Sequence, residues 1–106
     1  MESNKILRLL GLATRAGKIA FGTESVTESV EKKKAKLVIV ASDSAERTKR
    51  NFFRICESGN VNIREFGKIE ELSRSIGKEN KAVIAIKDIN FSNEIIRLID
   101  GGEVIG

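Results

Sequence analysis

The segment Gly22-Thr23-Glu24-Ser25 joins a short apolar run, Ile19-Ala20-Phe21, to residues with helical spacing, Val26 and Val30. A helix start presents backbone N–H groups without intrahelical partners and the positive end of the helix dipole, which suits a phosphate or the edge of a nucleic-acid base. A glycine there lets a second backbone come close. The plainer local reading is that Gly22 or Thr23 simply caps the helix. The lysines of Glu31-Lys32-Lys33-Lys34-Ala35-Lys36 are expected in the last turns of that helix, where they complement the negative dipole end and need no partner. Arg47, Arg50 and Arg54 stack along one helix face beside Lys49, with Phe52 and Phe53 between them. Such a face can take phosphates, but Phe52 also fits an apolar stripe, and a solvated basic face is the preferred reading of these residues alone. Gly77-Lys78-Glu79-Asn80-Lys81 is a polar turn ahead of an apolar run. Turns of this kind gather at one end of a sheet, so Lys78 and Lys81 either complement the Gly22 join or form an ordinary solvated turn.

Residue types that commonly carry covalent and acid–base chemistry are missing. The chain has no histidine, and it shows no carboxylate pair, nucleophile elbow or phosphate-cradling glycine loop followed by Lys-Ser/Thr. The single cysteine, Cys56, falls on an apolar helix face with no histidine to activate it, and reads as core. No catalytic residue, metal site or cofactor is expected. One cysteine permits no intramolecular disulfide and fits a reducing cytosol. The apolar runs 37–41 and 82–86 are too short to span a bilayer, and the first residues carry no apolar signal region, so a soluble, unexported, cytoplasmic protein without membrane association is expected. The balance of 19 basic against 15 acidic residues leaves +4, with a pI near 9.4. That makes an anionic partner plausible without requiring one.

The elements that must position these residues follow from periodicity. Ile6, Leu9, Leu10 and Ala13 mark a first helix, capped by Ser3 and ending before Gly17. Ile19–Phe21 is a short strand, stopped by Gly22. Leu37-Val38-Ile39-Val40-Ala41 is apolar on both alternating faces, as in a strand covered by helices on both sides. Asp43 and Glu46 resemble a capping box for a third helix, whose face holds Ala45, Thr48, Phe52, Ile55 and Cys56 and which stops at Gly59. Val61 and Ile63 flank Asn62 in a short strand. Ile69, Leu72, Ser73 and Ile76 line a fourth helix ending at Gly77, Ala82–Ile86 is a second buried strand, and Phe91, Ile95, Leu98 and Ile99 give a last helix running to Gly101. The alternation of helix and strand with short connections, no proline and no internal repeat predicts one α/β layered domain over residues 1–106, with the final Gly-Gly-Glu-Val-Ile-Gly fraying.

The order of GKIAFGTESV, AKLVIVASDS, ICESGNVNI and ELSRSIGKENKAVIAI resembles the L-seven-Ae family of ribosomal proteins, and within it the bacterial YlxQ group, over nearly the whole chain. The resemblance implies a three-layer α-β-α sandwich around a mixed sheet of about four strands. It also implies a kink-turn RNA site built by two neighbouring loops. Family members read Gly-Thr-Asn-Glu after the first strand, with a lysine three residues beyond the Glu; the Asn, Glu and Lys contact tandem sheared G·A pairs. A second, apolar loop after the fourth helix packs on a base flipped out of the RNA. On this chain the Gly-Thr is Gly22-Thr23, and Lys18 matches an upstream basic position. The remaining positions depart: Glu24 stands for Asn, Ser25 for Glu and Glu28 for Lys, while Lys78, Glu79 and Asn80 replace the apolar loop residues. Carboxylates there repel the RNA backbone and offer only acceptors to purine edges, and the second loop keeps charge attraction without an apolar platform. On this mapping Arg15, Lys18 and Lys78 supply the electrostatics, Gly22 and Thr23 the backbone approach, and Glu24 a base contact.

The leading expectation is therefore a non-enzymatic, ribosomal-protein-like RNA-binding protein acting on kink-turn, ribosomal or other structured RNA. The alternative is a protein-interaction module of the translation machinery, docking on the ribosome or a translation factor, that kept the fold and lost the RNA site. A monomer is expected in either case.

Overall fold

A computed structural model describes the backbone of residues 2–101 and the side chains of residues 4–101. The elements run α1 (Glu2–Arg15), β1 (Ile19–Phe21), α2 (Thr23–Glu31), β2 (Leu37–Val40), α3 (Glu46–Gly59), β3 (Asn62–Glu65), α4 (Ile69–Ser75), β4 (Val83–Ile86) and α5 (Ile89–Gly101). The two uniformly apolar runs take the centre of a four-stranded sheet ordered β1-β4-β2-β3. There, β4 pairs antiparallel with both β1 and β2, and β2 pairs parallel with β3, so the sheet is mixed.

The two-residue period of a strand explains why these runs carry no polar position. Leu37, Ile39, Ile84 and Ile86 face a core shared with Ile6 and Leu10 of α1, Leu72 of α4 and Ile95 and Leu98 of α5. Val38, Val40, Val83 and Ala85 face the other way, onto Val26 and Val30 of α2 and Phe52 and Cys56 of α3. The expected three-layer α-β-α sandwich is the observed fold. Among the described residues, no helix is long and apolar enough to cross a membrane.

Several element ends differ from expectation, each for a local reason. Helix α1 already includes Glu2, so Ser3 lies within it and is not its cap. Helix α2 closes at Glu31, before the lysine cluster. The N–H groups of Lys34 and Ala35 return to the Ser29 carbonyl, and Lys33 takes the left-handed region at φ 60°, so Lys33, Lys34 and Lys36 lie in the turn to β2 rather than in the last helical turns. Asp43 does not cap α3, whose N-cap is the exposed Ala45 without a side-chain hydrogen bond. Instead, Asp43 Oδ1 accepts from the Ile69 N–H at 2.8 Å and caps α4. At the other end of α3 the left-handed residue is Asn60, at φ 58°, in place of Gly59. Gly59 serves packing: a Cβ there would lie 2.7 Å from Val30 Cγ1 of α2. Of the residues expected to fray, Gly101 closes α5, and 102–106 lie outside the described residues.

Candidate nucleic-acid interface

The central feature is the exit from β1. Gly22 adopts φ 88°, ψ 157°, a region open essentially to glycine alone. Its N–H donates to the Val83 carbonyl at 3.1 Å, which ties the exit of β1 to the entry of β4. A Cβ on Gly22 would meet nothing within 4 Å, so the dihedral angle, and not a close neighbour, demands glycine. Helix α2 starts from this turn with no side-chain cap. The N–H groups of Thr23, Glu24 and Ser25 therefore have no intrahelical or side-chain acceptor among the described residues, and their side chains are exposed.

The loop between α4 and β4 abuts this turn, because antiparallel pairing sets Ile84 beside Phe21, the last residue of β1, and so brings Val83, the first residue of β4, to Gly22. Ser73, 2% exposed, holds that loop from both sides. Its Oγ accepts from the Lys81 N–H at 2.7 Å and donates to the Lys81 carbonyl at 3.2 Å, while its own carbonyl accepts from the Lys78 N–H at 2.8 Å. The result places Lys78 Nζ 5.0 Å and Lys81 Nζ 5.5 Å from the centre of the Phe21 ring, within cation–π range. Phe21 is thus the hinge between two basic side chains and the uncapped start of α2. Asn80 takes the left-handed region at φ 57°, a conformation Asn tolerates, which accounts for its type by backbone geometry. Glu79 and Asn80 are exposed, and together with Lys78 they line an open groove of about 580 Å³ that also touches Asp43 and Arg74.

Arg15 and Lys18 sit elsewhere. The Lys18 carbonyl accepts from the Lys87 N–H at 2.8 Å, at the end of the sheet where β1 begins and β4 finishes. Four residues of extended chain, roughly 13 Å at the usual strand rise, separate the Cα of Lys18 from that of Gly22. The structure brings Gly22, Thr23, Glu24, Ser25, Lys78 and Phe21 together and leaves Lys18 one strand length away, with Arg15 closing α1 ahead of it. Lys81 takes their place beside the join.

Glu28 is not an isolated negative charge. Its Oε2 lies 2.7 Å from Lys32 Nζ, one helical turn on. The Lys32 hydrogen bond and then its charge hold the Glu28 carboxyl below the usual range and raise the Lys32 ammonium correspondingly. Glu24 has no such partner among the described residues, and it shares an open groove of about 750 Å³ with Thr23, Glu28, Glu31 and Asn51 of α3. On the far side of Asn51 lies a second groove, of about 530 Å³, floored by Phe52 and lined by Thr23, Arg47, Arg50 and Arg54. The basic face of α3 therefore runs up to the start of α2. Its spacing was visible in the sequence; its continuity with Thr23 depends on how α2 packs against α3.

Cys56 is fully buried, and burial pushes its thiol up to about 11, which keeps it protonated at neutral pH. Among the described residues, no cluster of three or more potential metal-ligating His, Cys, Asp or Glu residues occurs.

The sequence model of the ribosomal protein L7Ae/L30e/S12e/Gadd45 family matches residues 4–96. The chain belongs to this family. Within this L7Ae family, it is 36% identical to the RNA-binding protein YlxQ of Bacillus subtilis over 92 residues, covering 87% of this chain and 92% of that one. It is 31% identical to the large ribosomal subunit protein eL8 of Thermoplasma volcanium, over 92% of this chain and 81% of the other. Among solved structures, a Bacillus halodurans protein of unknown function superposes with a TM-score of 0.87 at 38% identity, over 91% of this chain and 97% of that one. The Giardia lamblia 15.5kD RNA binding protein superposes with a TM-score of 0.78 over 99% of this chain and 90% of its own; at 22% identity it speaks for the L7Ae-type fold alone.

Proposed function

We propose that this protein is a single-domain, non-enzymatic RNA-binding protein that takes a structured RNA at the junction of the β1–α2 turn and the α4–β4 loop. The observation that carries the reading is the meeting, around Phe21, of an uncapped helix start with Lys78 and Lys81. Backbone N–H groups and two ammonium groups converge there on one open surface, suited to phosphate oxygens and base-edge acceptors. Support comes from the relatives: YlxQ is named an RNA-binding protein and eL8 a ribosomal subunit protein, each alignable over most of this chain. The RNA is a ribosomal or kink-turn element, bound by the monomer in the cytoplasm. Gly22 and Thr23 give close backbone approach, Glu24 and Ser25 meet base edges, and Lys78 with Lys81 neutralises phosphates. Glu28 stays tied to Lys32, while Glu79 and Asn80 shape the loop. Arg15 and Lys18 act at the periphery.

A second reading is motivated by Glu24, Ser25 and Glu28, which put acid and hydroxyl groups where kink-turn binders use Asn, Glu and Lys. In that reading the surface has passed from RNA to a protein of the translation machinery. Titration of the purified protein against a labelled kink-turn RNA and a matched plain duplex, at two salt concentrations, separates the two. The RNA reading expects preference for the kink-turn by on the order of tenfold, about 1.4 kcal/mol. Equal, steeply salt-dependent binding to both reduces the site to backbone electrostatics, and no binding transfers the function to a protein partner.

A further inference from the structure

We infer that the arginine face of α3 is a second RNA contact, holding the phosphodiester backbone of the strand that passes the start of α2. The inference rests on the RNA reading above and extends its footprint onto a different helix. Arg47, Arg50 and Arg54 lie on one face and are exposed. None has a carboxylate within ion-pair distance among the described residues, whereas Arg64, Arg74 and Arg97 are each paired with an acid. A side-chain hydrogen bond from Arg54 Nη2 to Asn51 Oδ1 at 2.7 Å fixes a guanidinium on this face without neutralising it. An unpaired guanidinium row with planar, multiple donors is a phosphate-binding surface by its chemistry.

The charges around it give the strand a direction. Two grooves meet at Thr23 and Asn51: one is walled by Glu24, Glu28 and Glu31 of α2, the other by the arginines of α3. With Glu28 paired to Lys32, Glu24 and Glu31 repel a polyanion engaged at Gly22 and Thr23 along the first groove, and the arginines attract it along the second. Glu24, the acid that stands for the family's Asn, thus helps steer the backbone onto α3. Phosphate contacts of this kind add affinity and salt dependence but carry no sequence information.

The test compares the native chain with the Arg47→Gln/Arg50→Gln/Arg54→Gln variant, titrated against the kink-turn RNA and the plain duplex across a salt series. Loss of three phosphate contacts is expected to weaken binding to both RNAs by on the order of tenfold or more at low salt and to flatten the log–log salt slope by about 2–3. The ratio between the two RNAs should hold. Replacing the same arginines by lysine should return most of the slope, showing that the fold is intact and charge is what was lost. A control, Lys5→Gln/Arg8→Gln/Arg97→Gln, removes equal charge from the opposite helix layer and should change little. Native affinity and slope in the α3 variant, or an equal loss in the control, overturns the inference and leaves the Gly22 site standing. Failure of the native chain to bind either RNA overturns both.

Discussion

At the scale of single residues, Gly22 is the position on which the site depends most. Its φ of 88° with ψ 157° belongs to glycine, and the space beside it is open. Substitution by alanine therefore meets no clash and is penalised through the backbone alone. Gly22→Ala should lower the unfolding free energy by roughly 1–3 kcal/mol, read from urea denaturation. A stability equal to the parent would mean that the turn relaxes without strain. Ser73 is the counterpart in the second loop, since its hydroxyl makes two hydrogen bonds to the Lys81 backbone. Ser73→Ala leaves the Lys81 N–H and carbonyl without that partner and should cost about 1–3 kcal/mol. Amide hydrogen exchange around residues 78–82 should speed up more than exchange in β2, and uniform exchange would place the effect elsewhere.

Among the elements, β3 and α5 are joined at the surface by one two-pronged ion pair. Arg64 Nε donates to Asp100 Oδ1 at 2.8 Å and Arg64 Nη2 to Oδ2 at 2.7 Å. The hydrogen bond from Arg64, helped by its charge, holds the Asp100 carboxyl below its ordinary 3.8. A depressed carboxylate stabilises the fold at pH above its unfolded value and loses that contribution as pH falls through the folded value. Because both side chains are partly solvated, the pair is worth at most about 1 kcal/mol. The Asp100→Asn variant should be slightly less stable than the parent at neutral pH and converge with it in strong acid. A gap that persists in strong acid would trace the loss to something other than this ion pair.

At the scale of the whole molecule, net charge matters less than which end of the sheet carries it. Lys78 and Lys81 stand where β4 enters, beside Gly22, and Lys18 and Lys87 stand where it leaves. Reversing either pair to glutamate changes the total by the same amount. Binding of kink-turn RNA should fall much further for Lys78→Glu/Lys81→Glu than for Lys18→Glu/Lys87→Glu. Equal losses would reduce the interaction to long-range attraction by a basic protein.

Layers, strands and the glycine turn follow from the order of residue types along the chain. Periodicity of 2 and 3.6 residues sorts apolar side chains onto faces, and each face needs a partner whatever the remaining chain does. Thus Leu37–Ala41 and Ala82–Ile86 were legible as central strands, and Gly77–Lys81 as a turn at one sheet end. Helix ends were less legible, because Asp43 fits α3 in sequence while its carboxylate reaches the start of α4, distant in the chain. Which charges meet depends on how separate elements pack. Antiparallel pairing of β1 with β4 brought Lys78 and Lys81 to Phe21, and α2–α3 packing set the arginine row against Thr23, whereas the distance of Lys18 from Gly22 follows from the length of β1 itself. Charges act through space, and sequence spacing fixes spatial spacing only within one element.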